Sequence, residues 1–314
     1  MEHRPLGASG LEVSALALGS WKTYELIPRE RGVAVMQAAR QAGIDFLDDA
    51  RYDDTTGEAP LRTGYSEVVF GELFREAGWK RDDVVVANKL WWEFWPEQSA
   101  AAELDASLGR MGLDDVDLIY AERPPERLGL EQLVTSVAAL LEAGKARAWG
   151  VLNWRPELIL EVAAVARIAG VPPPSAVQLV YNVAHPQAVE SPALEEALDA
   201  CGASVVASAV LAGGALTGKY ARGAGGRLAA ERDVPQRGHA FAVGVRLAGL
   251  AERLETTSAR LAIAFALAQP RVASVLFGAT SPEQVEDDVG ALELLERLTQ
   301  DDLVELRELG SRNA

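Results

Sequence analysis

Short runs rich in β-branched and other apolar residues recur along nearly the whole chain, separated by stretches whose apolar residues fall three and four positions apart. The runs are Ala15–Leu18, Ile44–Leu47, Val84–Ala87, Val116–Tyr120, Ala146–Val151, Ala176–Val180, Val205–Ala209 and Val275–Phe277. Each is too short for a buried helix and adjoins turn or capping residues, so each predicts a strand. The intervening stretches predict amphipathic helices. Leu130, Leu133, Val134, Val137, Leu140 and Leu141 share one face of a 3.6-residue repeat, and Gly144 follows where a left-handed C-cap is wanted. Ser99 is placed to cap a helix striped by Leu104, Leu108 and Met111 and ended by Gly112. Pro156 and Pro192 occupy first-turn positions, where a missing N–H costs nothing, and glycines 43, 170 and 202 close other helices.

Eight strand–helix units without a composition break predict an α/β chain: a (β/α)8 TIM barrel forming one domain over residues 1–314. An open doubly wound sheet usually announces itself with a Gly-x-Gly-x-x-Gly turn after its first strand, and that turn is absent. Two segments exceed the repeat. Asp53–Tyr65 reads as a long polar insertion after the second strand, and Lys219–Gly238, rich in Gly, Arg and Ala, as a mobile loop after the seventh.

Composition narrows the partners. The formal net charge is −16, which opposes phosphate backbones and anionic membranes, so neither nucleic acid nor membrane is expected. One cysteine, Cys201, cannot close a disulfide within the chain and reads as a small core residue. The polar start and the lack of a long apolar run predict a soluble, cytoplasmic protein. His3, His185 and His239 form no metal-ligand spacing with Cys or acid pairs, so no metal site is expected. The oligomeric state is not set by the sequence.

Barrel chemistry gathers where strands end. Those positions hold Asp48, Lys89, Glu122, Asn153, Gln178 and Ser208. Asp48 and Lys89 would pair, because buried charge has to be partnered. Such a lysine beside a tyrosine would favour the phenolate and lower that tyrosine's pKa. An ion pair that merely closes the barrel mouth is the structural alternative.

In this order the fragments resemble the aldo-keto reductases from about residue 4 to residue 309. Pro5-Leu6-Gly7 through Leu18-Gly19 is similar to the family's N-terminal β-hairpin and first strand. Gly43 through Asp48, Ser66 through Gly71, Ala87-Asn88-Lys89 and Asp117 through Tyr120 follow in register. So do Gly150 through Trp154, Gln178 with Tyr181-Asn182, Leu211 through Tyr220, and Gly278 through Gln284. The resemblance implies hydride transfer from a nicotinamide to the carbonyl of a small molecule, with a tyrosine as general acid tuned by Asp48 and Lys89. NADP(H) would be the cofactor, with NAD(H) the alternative. Contacts to it would come from Asn153, Gln178, Ser208, Leu211, Gly213, Lys219, Gly278, Thr280, Ser281, Gln284, Asp287 and Asp288. Gly278 to Gln284, at a helix N-terminus, would bind the adenosine phosphate through free N–H groups.

The chain departs from the family pattern where it matters most. The tyrosine expected five residues after the aspartate is displaced: position 53 is Asp53, Tyr52 is one short, and Tyr65 is a second candidate. Glu122 stands where the catalytic histidine is expected, Leu152 where a serine usually precedes the asparagine, and Ser208 where a tyrosine often stacks. A carboxyl in an apolar mouth stays protonated and donates a hydrogen bond, which resembles family members that reduce an enone double bond. Pairing of Glu122 with Arg123, Arg51 or Lys89 would instead keep it ionised. No Lys or Arg lies between Gly278 and Asp288, which leaves a 2′-phosphate clamp to Lys219 or a loop arginine. Trp21, Trp91, Trp92 and Trp154 would wall the substrate site and suit a ring-shaped or sugar-like molecule. Two other functions share these residues: a cofactor-binding regulatory barrel without turnover, and an isomerase, epimerase or lyase using Lys89 and Glu122 as acid and base.

Overall fold

A computed structural model describes residues 1–218 and 235–311. Eight parallel strands close on themselves in the order β10-β3-β4-β5-β6-β7-β8-β9. They are β3 (Leu16–Gly19), β4 (Phe46–Asp48), β5 (Val85–Leu90), β6 (Leu118–Ala121), β7 (Ala148–Leu152), β8 (Ala176–Val180), β9 (Ser204–Ser208) and β10 (Val272–Phe277). All eight predicted strands form, with ends displaced by at most three residues and β8 matching at both. Parallel strands covered on both faces need no polar alternation, and β3 through β7 are buried at every position.

The helices wrap this barrel in chain order: α1 (Arg29–Gln41), α2 (Tyr65–Glu76), α3 (Ala100–Met111), α4 (Leu130–Glu142), α5 (Pro156–Ile168), α6 (Pro192–Cys201), α7 (Pro235–Arg253), α8 (Ser258–Leu267), α9 (Pro282–Val289), α10 (Ala291–Arg297) and α11 (Gln300–Ser311). Ser99 caps α3 by accepting from the Ala102 N–H, and Pro156 and Pro192 open α5 and α6. Cys201 is buried at the end of α6, and burial pushes its thiol up to about 11. Among the described residues no helix is long and apolar enough to cross a membrane, and no cluster of three or more metal-binding side chains occurs.

The N-terminal hairpin, β1 (His3–Pro5) antiparallel to β2 (Glu12–Ser14), seals the bottom of the barrel. Leu6, Leu11 and Val13 are buried against Phe46, Leu118, Tyr120 and Val206 from the strands. The Arg4 guanidinium donates to the carbonyls of Leu267 and Val272, and Ala8 N–H donates to Gly202 O at 2.8 Å. Gly7 has φ +53°, and a Cβ there would lie 2.2 Å from Ser175 O, so only glycine lets the hairpin approach this closely.

Each long segment runs into helix at its C-terminal end, where loop was expected. The polar insertion is a pinned loop: Asp53 and Thr63 form a β-bridge, and Gly64 N–H donates to Tyr52 O at 2.8 Å. Tyr65 belongs to α2 rather than to the loop. Of the expected mobile loop, residues 219–234, including Lys219, lie outside the described residues, and Pro235–Gly238 is already helical in α7.

Candidate active site

Strand alternation decides which side chains enter the barrel mouth. On β5, Asn88 points outward beneath the helices and donates to Glu67 Oε1 at 2.9 Å, so Lys89 points inward. On β4, Asp48 points inward, whereas Asp49 turns outward to take the Ser20 hydroxyl. Lys89 Nζ then donates to Asp48 Oδ1 at 2.5 Å and to Tyr52 OH at 3.1 Å. Asp48 is 1% and Lys89 3% exposed, so this pair is shielded from bulk water. Gln178 on β8 completes the group by donating Nε2 to Asp48 Oδ2 at 2.9 Å.

The geometry chooses Tyr52 over Tyr65. The pinned loop turns its backbone so that a tyrosine only four residues past Asp48 still reaches the lysine. The expected lowering of its pKa does not occur. Burial raises it above the ordinary phenol range, helped by Asp48 and Asp49, and Lys89 only partly offsets this. Lys89 is likewise held above its usual range: burial opposes the charge, but Asp48 and Tyr52 outweigh it. Both groups therefore keep their protons at neutral pH, which suits a donor.

Above these residues opens a cavity of about 860 Å³, which Asp48, Tyr52, Lys89, Asn153 and Gln178 all line. Asn153 follows β7 with φ +55°, a left-handed conformation that asparagine tolerates, and its Oδ1 accepts from Val180 N–H at 3.3 Å. Ser208, Leu211, Gly213, Gly278, Thr280, Gln284, Asp287 and Asp288 continue the wall, whereas Ser281 stands at the N-cap position of α9, outside the lining and without a side-chain capping hydrogen bond.

The tryptophans divide. Trp91 lines the cavity and meets the Tyr52 ring edge-on, with centroids 6.1 Å apart, and the half-exposed Trp21 lines it too. Trp92 and Trp154 do not. Each is 2% exposed inside the packed shell, and Trp92 Nε1 donates to Glu122 O at 3.2 Å. Their positions after strand ends did not reveal that the backbone turns these rings inward.

Glu122 is half-buried beside the cavity but outside its lining. Burial raises its pKa, and the Arg123 N–H and the nearby Lys89 offset this only in part. Among the described residues it forms no ion pair. Arg51 holds Glu93 at 2.7 Å, Lys89 holds Asp48, and Arg123 gives Glu122 only its backbone N–H at 3.0 Å.

At the start of α9 some of the expected donors are already engaged. Thr280 N–H and Oγ1–H both donate to Gln284 Oε1, at 2.8 and 3.2 Å, and Pro282 has no N–H. Facing it across the cavity are Thr257, Ser258 and Ala259 at the start of α8, which strand-end reasoning missed. The signal was present as Thr257, a capping residue before an apolar run, whose hydroxyl accepts from the Arg260 N–H.

This cavity fits a dinucleotide. Its size lies within the range of ligand pockets. An exposed amide (Asn153) and a buried one (Gln178) line it together with Tyr52. At the far end the Asp288 carboxyl is buried against the wall without a hydrogen-bond partner among the described residues.

Comparison with known proteins agrees with the geometry. A model of the Aldo/keto reductase family matches residues 15–311. The chain is 32% identical over 315 aligned positions to a "probable voltage-gated potassium channel subunit beta" of Oryza sativa subsp. japonica, covering 95% of this chain and 93% of that protein. A protein of the same description from Arabidopsis thaliana is 30% identical over the same shares.

Proposed function

The chain belongs to the aldo/keto reductase family, and from that premise we propose that it is a nicotinamide-dependent reductase of a carbonyl, or of an enone-type double bond, in a small ring-bearing or sugar-like molecule. The observation that carries this reading is the buried chain from Asp48 through Lys89 to Tyr52, which ends on a phenol facing the cavity. A purely structural ion pair has no need of a tyrosine at its open end.

When bound, the cofactor supplies the hydride. Asn153 and Gln178 would hold its carboxamide and set which ring face meets the substrate. Tyr52 would donate its proton to the substrate oxygen as charge develops there, and Lys89 would stabilise the phenolate left behind. Asp48 and Gln178 hold Lys89 in line for that task. Trp21 and Trp91 would cover an apolar ring and exclude water. For an enone, a protonated Glu122 would have to turn its carboxyl from beside the cavity toward the same oxygen to add a second donor.

The test follows cofactor oxidation by the purified chain with aldehydes, ketones and enones, after binding has been measured by quenching of tryptophan fluorescence. Binding with steady oxidation supports the reading. Binding without turnover on any of these classes would favour a cofactor-sensing barrel, to which the likeness to potassium-channel β subunits lends weight. Turnover without net cofactor consumption would favour an isomerase or lyase. Failure to bind would end all dinucleotide readings.

A further inference from the structure

Behind the aromatic wall of the cavity lies an acid that the proposed reaction does not use. Glu103, in the first turn of α3, is 5% exposed. Directly after β5 ends, its Oε1 accepts the Trp91 N–H at 2.8 Å and its Oε2 the Trp92 N–H at 3.3 Å. Among the described residues Glu103 forms no ion pair. Arg51 acts on its charge from nearby, but that guanidinium is held by Glu93 at 2.7 Å and by Thr63 at 3.0 Å. Nor does α3 need Glu103 as a cap, since Ser99 already takes the Ala102 N–H.

The two residues it holds send their rings to different places. Trp91 lines the cavity and meets the Tyr52 ring edge-on, with centroids 6.1 Å apart. Trp92 has φ +58°, in the left-handed region that bulky side chains rarely adopt, and its buried ring donates Nε1–H to the Glu122 carbonyl. A backbone in that region persists only where its surroundings over-determine it. Consecutive N–H groups turned to one side suit an anion, and hydrogen bonds to a charged acceptor are stronger than neutral ones. The carboxyl of Glu103 supplies that acceptor from a helix anchored on the barrel by the buried Leu104, Leu108 and Met111. The turn that puts one ring in the cavity and the next in the packed shell is therefore fixed from α3.

We propose that Glu103 is a positioning residue for the substrate wall: by holding both N–H groups it keeps the Trp91 indole beside Tyr52, and so sets the preference for ring-bearing over short aliphatic substrates. The inference rests on the reductase reading above and deepens it. A purely structural tie between α3 and β5 would use the same hydrogen bonds, yet its loss would lower stability without moving Trp91.

The experiment uses the full chain carrying Glu103→Gln, which keeps the size but sets an NH2 group against one of the two N–H donors. Glu103→Asp keeps the charge and shortens its reach, and it takes over every readout if the first variant does not fold. The first readout needs no turnover: near-ultraviolet circular dichroism and acrylamide quenching of tryptophan emission, each repeated in a Trp91→Phe background. Glu103→Gln should change both signals, and the change should shrink in that background. The second readout is kcat/KM for benzaldehyde against propanal. That ratio should fall about tenfold, mainly through KM, at the low end of what an apolar contact adds to discrimination. Combined with Trp91→Ala, Glu103→Gln should lower it no further. An optical change independent of Trp91, or none, overturns the positioning role. So does an unaltered ratio in a variant whose melting temperature alone has dropped. If the unaltered chain turns over no substrate class, the reductase reading fails by itself, and the optical signals alone decide whether Glu103 holds Trp91.

Discussion

Gln178 Nε2 donates to Asp48 Oδ2 across the full width of the barrel, joining β8 to β4, which stand four places apart in the eight-stranded ring. Asp48 is thereby held on both oxygens, by Gln178 on one and Lys89 on the other. Neither it nor the lysine can swing without breaking a buried hydrogen bond, so the direction in which Lys89 faces Tyr52 is set by strands on opposite sides of the molecule.

Tyr52→Phe keeps the ring and its edge contact with Trp91 but removes the hydroxyl. Turnover should fall about 10²- to 10⁴-fold, the range for loss of a positioned acid. Dinucleotide affinity should stay within about twofold on the same grounds, since a proton donor acts on the reaction rather than on ground-state binding. Unchanged turnover in a pre-steady-state assay would remove Tyr52 from the chemistry.

Lys89→Met leaves Asp48 buried without its cation. Unfolding by urea should show a loss of about 3–5 kcal/mol, the cost of an unpaired buried charge. Adding Asp48→Asn should recover part of it. Strictly additive losses in the double variant would mean that the two residues are not energetically coupled.

Stability should fall as pH rises from about 4 to 8. Burial raises Asp288 to about 8 and Asp49 well above the ordinary carboxyl range. An unfolded carboxyl, with a pKa of about 3.9, has already lost its proton across this interval while the folded one keeps it. The stabilisation is complete below about 4 and, for Asp288, exhausted above about 8, with a slope of up to about 1.4 kcal/mol per pH unit for one proton. Asp288→Asn should flatten that slope in thermal melts at pH 5, 6, 7 and 8. Parallel curves for the two proteins would contradict the burial argument.

Glu122→His should raise aldehyde turnover relative to enone turnover. Glu122→Gln should remove the loss of enone turnover expected as pH rises through the elevated Glu122 pKa. If neither variant alters the aldehyde-to-enone ratio, Glu122 has no part in substrate choice.

Trp91→Ala should raise KM for a ring-bearing substrate more than for a short aliphatic aldehyde, because only the former covers the indole. Equal increases would assign Trp91 to packing alone.

The barrel was legible because its signals are local. A run such as Val205–Ala209 and a cap such as Ser99 act within a few residues, and both formed where expected. Lys89 and Asp48 were also legible, since alternation along β4 and β5 sends them inward. What failed depended on loops. Asn153 was readable at its strand end, but the inward turn of Trp92 depends on a backbone at φ +58° and on a distant carbonyl, that of Glu122. The direction of the Tyr52 pKa shift was misjudged for a related reason. Spacing reveals a neighbouring cation but not the burial that outweighs it. Likewise the facing of α8 and α9 arises only when β10 closes against β3 and β9.

The hairpin that seals the bottom of the barrel gives it a single door. Among the described residues Leu6, Leu11 and Val13 fill the space beneath the strands, so the mouth is the open approach to Tyr52. Two guests sharing one doorway must queue. The guest seated deeper along the wall has to enter before the one that covers it and leave after it. If the proposed reaction runs in this barrel, its order of entry would be set by architecture, and its pace by whatever holds the earlier guest.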